Sequence, residues 1–210
     1  MKVLLINGSP HEKGCTYTAL SEVAKTLNAQ EIQTQIFHIG IKPVHGCIAC
    51  GACAKLGKCV FSDDGANEML SLMWEADGII VGSPVFYSGP NGALCALLDR
   101  TFFADRMFYG DDSKLAFKPA AAVVSARRSG TTATFDRLNK YFTMTRMPIV
   151  SSQYWNAVHG FTPDDVRKDE EGLQTMRTLG YNMAWMLKNI ENSKQPLPEI
   201  EPFKRTNFIR

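Results

Sequence analysis

The sequence predicts an α/β fold in which helices cover both faces of a parallel sheet. Short apolar runs that end in turn residues alternate with segments whose apolar residues recur at helical spacing. The 210 residues are 45% hydrophobic and 21% charged, which is the composition of an ordinary globular domain. Because alternating strands and helices form right-handed crossovers, they predict one parallel sheet. Five strands are expected, in the order 2-1-3-4-5.

The first half of the chain supplies two of these strands. Residues 2–6 (KVLLI) form a fully apolar run that ends in Asn-Gly-Ser-Pro, which predicts a buried strand and a turn. A helix over residues 16–28 and a strand over residues 33–38 follow. The next helix has N-cap candidates in residues 62–64 (SDD). Its apolar residues stand at helical spacing: Met69, Leu72, Met73 and Trp74.

The second half repeats the alternation three times. Apolar runs predict strands over residues 77–82, 119–125 and 148–150, and the patterns between them predict helices over residues 89–103 and 131–144. A long apolar stripe then predicts one terminal helix over residues 163–190. We therefore expect a single domain over residues 1–191, with a cysteine-loop insertion at residues 45–62. Residues 192–210 contain three prolines and no periodicity, which predicts an extended C-terminal arm.

The net charge and the cysteine content limit the kinds of partner and the cellular compartment that can be expected. Twenty-three basic and 21 acidic residues leave a net charge of +2, so we expect no binding to nucleic acid. The apolar start of the chain is too short for a signal-peptide core, and no run is long enough to span a membrane. We expect a cytoplasmic protein, in which clustered cysteines are more often metal ligands or redox groups than disulfides.

Three loops should meet beyond the carboxyl ends of the strands, where ligands bind in open α/β sheets. The first, residues 8–18 (GSPHEKGCTYT), combines small residues with the hydroxyls of Ser9, Thr16 and Thr18 before a helix, which favours a phosphate. It lacks the Gly-Lys-Ser/Thr ending of a Walker A loop and the third glycine of G-x-G-x-x-G. A plain capped turn is the alternative.

The other two loops suit the flat ring of a cofactor. Residues 83–92 (SPVFYSGPNG) present Phe86 and Tyr87 among exposed amides, which suits aromatic contact and edge hydrogen bonds. Core packing or a subunit contact is the alternative for these two rings. Residues 125–131 offer Arg127 and Arg128, which suit the negative edge of a reduced ring or the phosphates of a nucleotide. A surface ion pair is the alternative for the arginines.

Four of the six cysteines fall within thirteen residues, at spacing C-x2-C-x2-C-x5-C. Three outcomes are open for them: a [4Fe-4S] cluster, a zinc site, or free thiols packed as small hydrophobes. Because the run follows the second strand, we expect it at the same sheet end as the three loops. The candidate ligands are Cys47, Cys50, Cys53 and Cys59.

The strings LLINGSPHEKGCT, ADGIIVGSPVFYSGPNGALCALLDR and RRSGTT together resemble the NAD(P)H-dependent FMN reductases of the flavodoxin-like superfamily. The cysteine run resembles that of its iron-sulfur flavoprotein branch. The resemblance implies a flavodoxin-like three-layer sandwich that binds FMN. It implies that the FMN phosphate contacts Ser9, His11, Cys15, Thr16 and Thr18. For the isoalloxazine ring, it implies contacts with Pro84, Val85, Phe86, Tyr87, Ser88, Ser125, Arg127, Arg128 and Gly130.

Two residues depart from the family pattern, because His11 stands where arginine is common and Cys15 where asparagine or serine is common. Both changes weaken charge pairing to the phosphate. The implied activity is hydride transfer from NAD(P)H to FMN and onward to a quinone, a flavin or a redox protein, through a [4Fe-4S] cluster where one is bound. No catalytic side chain is required, because the flavin carries the chemistry.

Two other functions stay open from the sequence. A non-enzymatic electron carrier between redox proteins is the first, although such carriers tend to be shorter and strongly acidic. A redox-sensing regulator built on the cysteines is the second, and no basic segment supports it. By analogy with the family, we expect a homodimer or homotetramer.

Overall fold

The computed structural model describes residues 1–201, 204 and 206, and its centre is a parallel sheet. The parallel strands are β1 (Lys2–Asn7), β2 (Gln33–His38), β3 (Gly78–Phe86), β5 (Ala120–Ala126) and β6 (Ala157–His159). They lie in the order β2-β1-β3-β5-β6, and the two-residue β4 (Gly89–Pro90) pairs antiparallel with the end of β3. The five parallel strands therefore follow the predicted order 2-1-3-4-5, which confirms the fold class.

Seven α-helices are found in the described part of the chain, with a short 3-10 turn after the fourth. They are α1 (Cys15–Ala29), α2 (Cys53–Leu56), α3 (Ala66–Glu75), α4 (Gly92–Tyr109), α5 (Thr131–Met144), α6 (Pro163–Lys168) and α7 (Glu170–Asn192). Alternate residues of β1 face opposite cores: Leu4 and Ile6 pack toward α3, α4 and α5, whereas Val3 and Leu5 pack toward α1 and α7. Both faces are buried, which explains why the strands are continuous apolar runs.

The last parallel strand differs from its prediction at residues 148–150. There, Ile149 forms only an isolated parallel bridge with Ala120, and the regular strand β6 begins at Ala157. The chain leaves the sheet edge between them, and the Asn156 side chain donates to the carbonyl oxygen of Ala122 at 3.1 Å in place of a strand. Because this asparagine occupies the edge of β5, the strand is split into two short pieces.

The predicted terminal helix over residues 163–190 is also split, at Asp169. The shorter helix α6 has a capping box, in which Thr162 and Asp165 bond to each other's backbone N–H groups. The Asp169 carboxylate then accepts from the N–H of Gly172 at 2.9 Å and caps α7. The sequence thus contains two N-cap residues, Thr162 and Asp169, and a separate helix follows each of them.

The end of the chain carries no helix or strand between residues 193 and 201, and those residues are exposed. The remainder of the predicted arm, Pro202 included, lies mostly outside the described residues. The division of the chain at residue 191 stays a prediction. In the part of the chain that the structure covers, no helix is both long and apolar enough to cross a membrane.

Candidate functional site

The three predicted loops meet at the carboxyl edge of the sheet and are tied together by specific contacts. The N–H of Gly8 donates to Gly82 at 2.8 Å, and the Asn91 side chain donates to the carbonyl oxygen of Gly8 at 2.8 Å. A Cβ on Gly8 would lie 2.4 Å from a methyl carbon of Leu94, so only glycine allows this approach. The first loop is therefore held against the start of α4.

The first loop is also braced from within. The Asn7 side chain donates to the carbonyl oxygen of Glu12 at 3.0 Å and accepts from the N–H of Ser9 at 3.2 Å. The Ser9 hydroxyl accepts from the N–H of His11 at 3.1 Å, and the ring Nε2 of His38 lies 2.9 Å from the Ser9 carbonyl oxygen. Sequence reasoning missed Asn7, His38 and Asn91. For Asn91, its place before Gly-Ala in an N-cap position was a usable signal.

The start of α1 is the part of this loop that fits a phosphate. Its N-cap, Gly14, supplies no side-chain acceptor, and the first turn holds no acidic residue. The first-turn N–H groups of a helix have no intrahelical partners, and the helix dipole adds positive potential there. Burial, the largest effect on Cys15, raises the pKa of its thiol, so the side chain at this departure from the family pattern stays neutral.

Three predicted phosphate contacts have other partners. The thiol of Cys15 donates to the carbonyl oxygen of Gly160 at 3.8 Å. The hydroxyls of Thr16 and Ser125 are both buried and lie 2.8 Å apart, so they join the first loop to the third. The hydroxyl of Thr18 donates to the Gly14 carbonyl oxygen at 3.1 Å within α1. His11 is exposed at the surface of the loop, and Ser9 is buried beneath it.

The second loop is a tight hairpin between β3 and β4. Tyr87 and Ser88 form its tip with φ of 50° and 58°, the left-handed conformations that a type I′ turn requires. Phe86 and Tyr87 are exposed, and Pro84 and Val85 are partly buried. Gly130 of the third loop lies beneath the tip, where a Cβ would be 2.9 Å from the Cα of Ser88. The exposed rings and amides form a surface that fits one face of a flat ring.

Arg127 and Arg128 are exposed at the start of the third loop. Within the described residues, no carboxylate lies within ion-pair distance of either guanidinium. The alternative of a surface ion pair is therefore not observed.

The four cysteines of the motif line one small cavity. Positive φ angles at Ala49, Gly51 and Gly57 curl the loop around it. Cys53 is buried against Leu70 and Ala104, and all four thiols are free. Nowhere in the described chain do three His, Cys, Asp or Glu side chains come close enough to hold a single metal ion. The four thiols of the motif therefore share one cavity without forming a set that could hold a single ion such as zinc.

A buried arginine holds this cysteine loop on α4. Arg100 is 2% exposed, and its Nε donates to the sulfur of Cys59 at 3.2 Å. Its two terminal nitrogens donate to the carbonyl oxygens of His45 at 3.1 Å and Phe61 at 3.2 Å, and to the carboxylate of Asp64. Sequence reasoning missed Arg100 and its partner. The available signal was an arginine on the otherwise apolar face of a predicted helix.

The cysteine cavity packs against the middle of α4. Its contacts are with Arg100, Phe103 and Ala104 in the middle of α4, whereas the three loops surround the start of that helix at Gly92. Eight residues of helix separate Gly92 from Arg100, which is about 12 Å of rise. The buried ion pair between Asp64, in the loop before α3, and Arg100 holds the loop against α4.

Comparisons with known proteins agree with this geometry. The family model described as NADPH-dependent FMN reductase matches residues 1–162. An iron-sulfur flavoprotein of Methanocaldococcus jannaschii is 33% identical over 196 residues, which cover 91% of this chain and all of that protein. Among solved structures, a flavone reductase has a TM-score of 0.67 at 17% identity, covering 93% of this chain and 66% of its own.

A flavodoxin from the domain Archaea has a TM-score of 0.59 at 16% identity, and the match covers 90% of this chain and 99% of that one. These two structural likenesses show the flavodoxin-like fold. The family match, the relative that is covered along its whole length and the three joined loops point to one assignment. This chain is a flavoprotein oxidoreductase that belongs to the NADPH-dependent FMN reductase family.

Proposed function

We propose that this protein transfers hydride from NAD(P)H to bound FMN and passes the electrons to a second acceptor. The proposal depends on the start of α1, where no side chain caps the N–H groups of the first turn. Hydrogen bonds join this segment to two further loops at the same edge of the sheet. FMN supplies the hydride-accepting and electron-releasing chemistry when it is bound. The protein's part is to bind and orient it.

Each loop has a distinct task in this proposal. The N–H groups at the start of α1 hold the phosphate, and the β3–β4 hairpin supports one face of the ring with Phe86 and Tyr87. Arg127 and Arg128 bring positive charge to the edge of the same site and attract either the ring's pyrimidine edge or the phosphates of NAD(P)H. Thr16 and Ser125 keep the first and third loops in register.

The cysteine cavity supports a one-electron branch of this function. Cys47, Cys50, Cys53 and Cys59 would hold a [4Fe-4S] cluster, which supplies single-electron transfer. The Nε of Arg100 donates a hydrogen bond to the sulfur of Cys59, which would stabilise that sulfur as a thiolate ligand. Such a branch favours acceptors that take electrons singly.

The first experiment is anaerobic purification followed by absorption spectroscopy, iron analysis and steady-state oxidation of NADH and NADPH with a quinone or free flavin. Flavin bands and turnover support the proposal, and iron near four per chain supports the cluster. Bound FMN without turnover would contradict the reductase and favour the electron carrier. Flavin without iron would remove the one-electron branch alone.

A pair of variants tests the phosphate position directly. Gly14→Asp and Gly14→Asn both add a helix-capping side chain of the same shape, but only the aspartate adds a negative charge. We expect Gly14→Asp to bind FMN at least about tenfold more weakly than Gly14→Asn, since the carboxylate repels the phosphate. Equal FMN affinity in the two variants, measured by fluorescence titration, would place the phosphate elsewhere.

A further inference from the structure

A second, larger cavity lies beside the cysteine cavity, between α4 and α5. Its volume is about 460 Å³, which is within the range of small-molecule sites. Cys47 and Phe103 line both cavities. A molecule in the larger cavity would therefore be a direct neighbour of the cysteine centre, and it would be separate from the three loops at the sheet edge.

The lining of this cavity combines an aromatic floor with a basic rim. Phe102 and Tyr141 are both buried, and their ring centroids lie 5.3 Å apart. Phe103 and Met144 extend this apolar surface toward solvent. Flat aromatic molecules gain most from such a surface. The rim carries four cations and one carboxylate: Arg106, Arg137, Lys140, Arg146 and Asp99.

The positive charge on the rim is only partly compensated. Asp99 accepts a hydrogen bond from the Tyr141 hydroxyl and lies 3.6 Å from Arg137, so its charge is already engaged. Burial, followed by the bond to Asp99, raises the pKa of Tyr141, which keeps its proton and stays neutral. Arg106 pairs with Asp111 at 2.9 Å.

Two cations of the rim keep an uncompensated charge. Arg146 donates to the backbone carbonyl of Asp111, which carries no net charge. For Lys140 and Arg146, the described chain offers no carboxylate within ion-pair distance. The cavity thus presents two net positive charges above an aromatic floor.

We propose that this cavity binds a flat aromatic organic anion, such as a sulfonated or carboxylated quinone, which accepts electrons at the cysteine centre. The proposal has two halves. The binding half, that the cavity binds such an anion, depends only on the cavity; the electron-accepting half, that the bound anion is reduced, rests on the proposed function. The overall reaction balances as NAD(P)H + H⁺ + quinone → NAD(P)⁺ + hydroquinone. Two electrons leave the nicotinamide as hydride, and the two quinone oxygens each gain a proton.

The binding test uses the FMN-saturated protein and anthraquinone-2-sulfonate, followed by isothermal titration calorimetry. We expect Lys140→Glu with Arg146→Glu to weaken binding by about tenfold or more, because both uncompensated charges are reversed. Lys168→Glu, on an exposed turn of α6, is the matched control and should bind as the unaltered protein does. The neutral 2-(hydroxymethyl)anthraquinone should be much less sensitive to the double variant.

Specific outcomes overturn the binding half. Equal affinity of the double variant and the control would show that the rim does not bind the anion. Competition of the sulfonate with FMN or NAD(P)H would assign it to the sheet-edge site instead. Circular dichroism checks that the double variant folds. If it does not fold, the single variants Lys140→Glu and Arg146→Glu provide the same test, and each is expected to weaken binding.

Turnover separates the two halves. We expect the double variant to reduce anthraquinone-2-sulfonate about tenfold more slowly at low concentration, with the reduction of riboflavin, which carries no anionic group, unchanged. If binding is lost but quinone reduction keeps its rate, the cavity is not the acceptor site. If the sulfonate binds in the cavity but none of the acceptors supports oxidation of NAD(P)H, the binding site stands and the proposed function fails.

Discussion

At the scale of single residues, Arg100 is the side chain on which the cysteine loop depends. It joins α4 to three points of the loop and to Asp64, and the side chains of both ion-pair partners are 1% exposed. Arg100→Met would leave a buried carboxylate without its partner, which costs about 3–5 kcal/mol. Urea unfolding should show that loss.

A surface ion pair is the matched control for this variant. Arg167 and Asp164 are paired on α6 but well exposed, so Arg167→Met should cost less than about 1 kcal/mol. Similar losses in the two variants would mean that Arg100 is not the anchor. Adding Asp64→Leu to Arg100→Met should recover part of the loss, since the unpaired charge is then removed.

The same pair makes stability depend on pH in a predictable direction. Burial acts to raise the pKa of Asp64, but hydrogen bonds from Arg100 and from the N–H groups of Ala66 and His45 outweigh it, and the pKa lies below its ordinary value of 3.8. A carboxylate whose pKa is lowered by folding stabilises the native state above the unfolded pKa, and this contribution disappears as pH falls through the folded pKa.

The measurement is the free energy of unfolding of the unaltered protein and of Asp64→Asn between pH 7 and pH 3. We expect the difference between them to be largest near neutrality and to shrink steadily as the pH falls below 4. A difference that is constant over this range would show that Asp64 does not titrate below its ordinary pKa in the folded protein.

At the scale of elements, the β3–β4 hairpin is held in a conformation that its sequence does not favour. Type I′ turns prefer Asn-Gly, whereas Tyr87 and Ser88 occupy the two left-handed positions here. Ser88→Gly should therefore stabilise the protein by about 1 kcal/mol. Ser129 lies in a nearby loop, and its φ is not positive. Ser129→Gly should therefore destabilise the protein by about 0.4–1 kcal/mol, because glycine increases the conformational entropy of the unfolded chain. Thermal unfolding compares the stability of the two variants. If both are less stable than the unaltered protein, Ser88 is not strained.

Other elements show where local pattern was sufficient and where it was not. The central strands were predictable because burial on both faces makes them continuous apolar runs, and their turn residues follow directly. The last strand was misplaced because Asn156 bonds to Ala122, 34 residues earlier, and takes over the sheet edge. The last helix was extended through Asp169 because its apolar stripe continues across the break that the cap creates.

At the scale of the whole molecule, the candidate site was predictable as three loops but not as individual contacts. Sequence order and the rule for open α/β sheets were enough to bring residues 8–18, 83–92 and 125–131 together. The partner of the Thr16 hydroxyl is more than one hundred residues away, so no local pattern indicates that it bonds to Ser125. The anchor of the cysteine loop was missed for the same reason, since the ion pair between Asp64 and Arg100 spans 36 residues.

The outer surface of α7 carries the last prediction, which concerns self-association. Tyr181 and Trp185 lie one turn apart and are 53% and 66% exposed. The rings of Tyr154 and Trp155 lie beside the same helix, tilted against each other with centroids 4.6 Å apart. Such aromatic patches are typical of interfaces, and buried tryptophans there often contribute 2 kcal/mol or more. We therefore expect a dimer or tetramer that Trp185→Glu dissociates.

Light scattering coupled to size exclusion measures this association over a range of protein concentrations. The control is Ile41→Glu, which changes an apolar residue on the loop after β2 that is even more exposed than Trp185. It should leave the assembly intact. Because Trp185 is remote from the three loops, FMN bound per chain should be unchanged at high protein concentration, which separates dissociation from unfolding. A Trp185→Glu variant that keeps the mass of the unaltered protein would mean that the subunits meet elsewhere, or that the chain works alone.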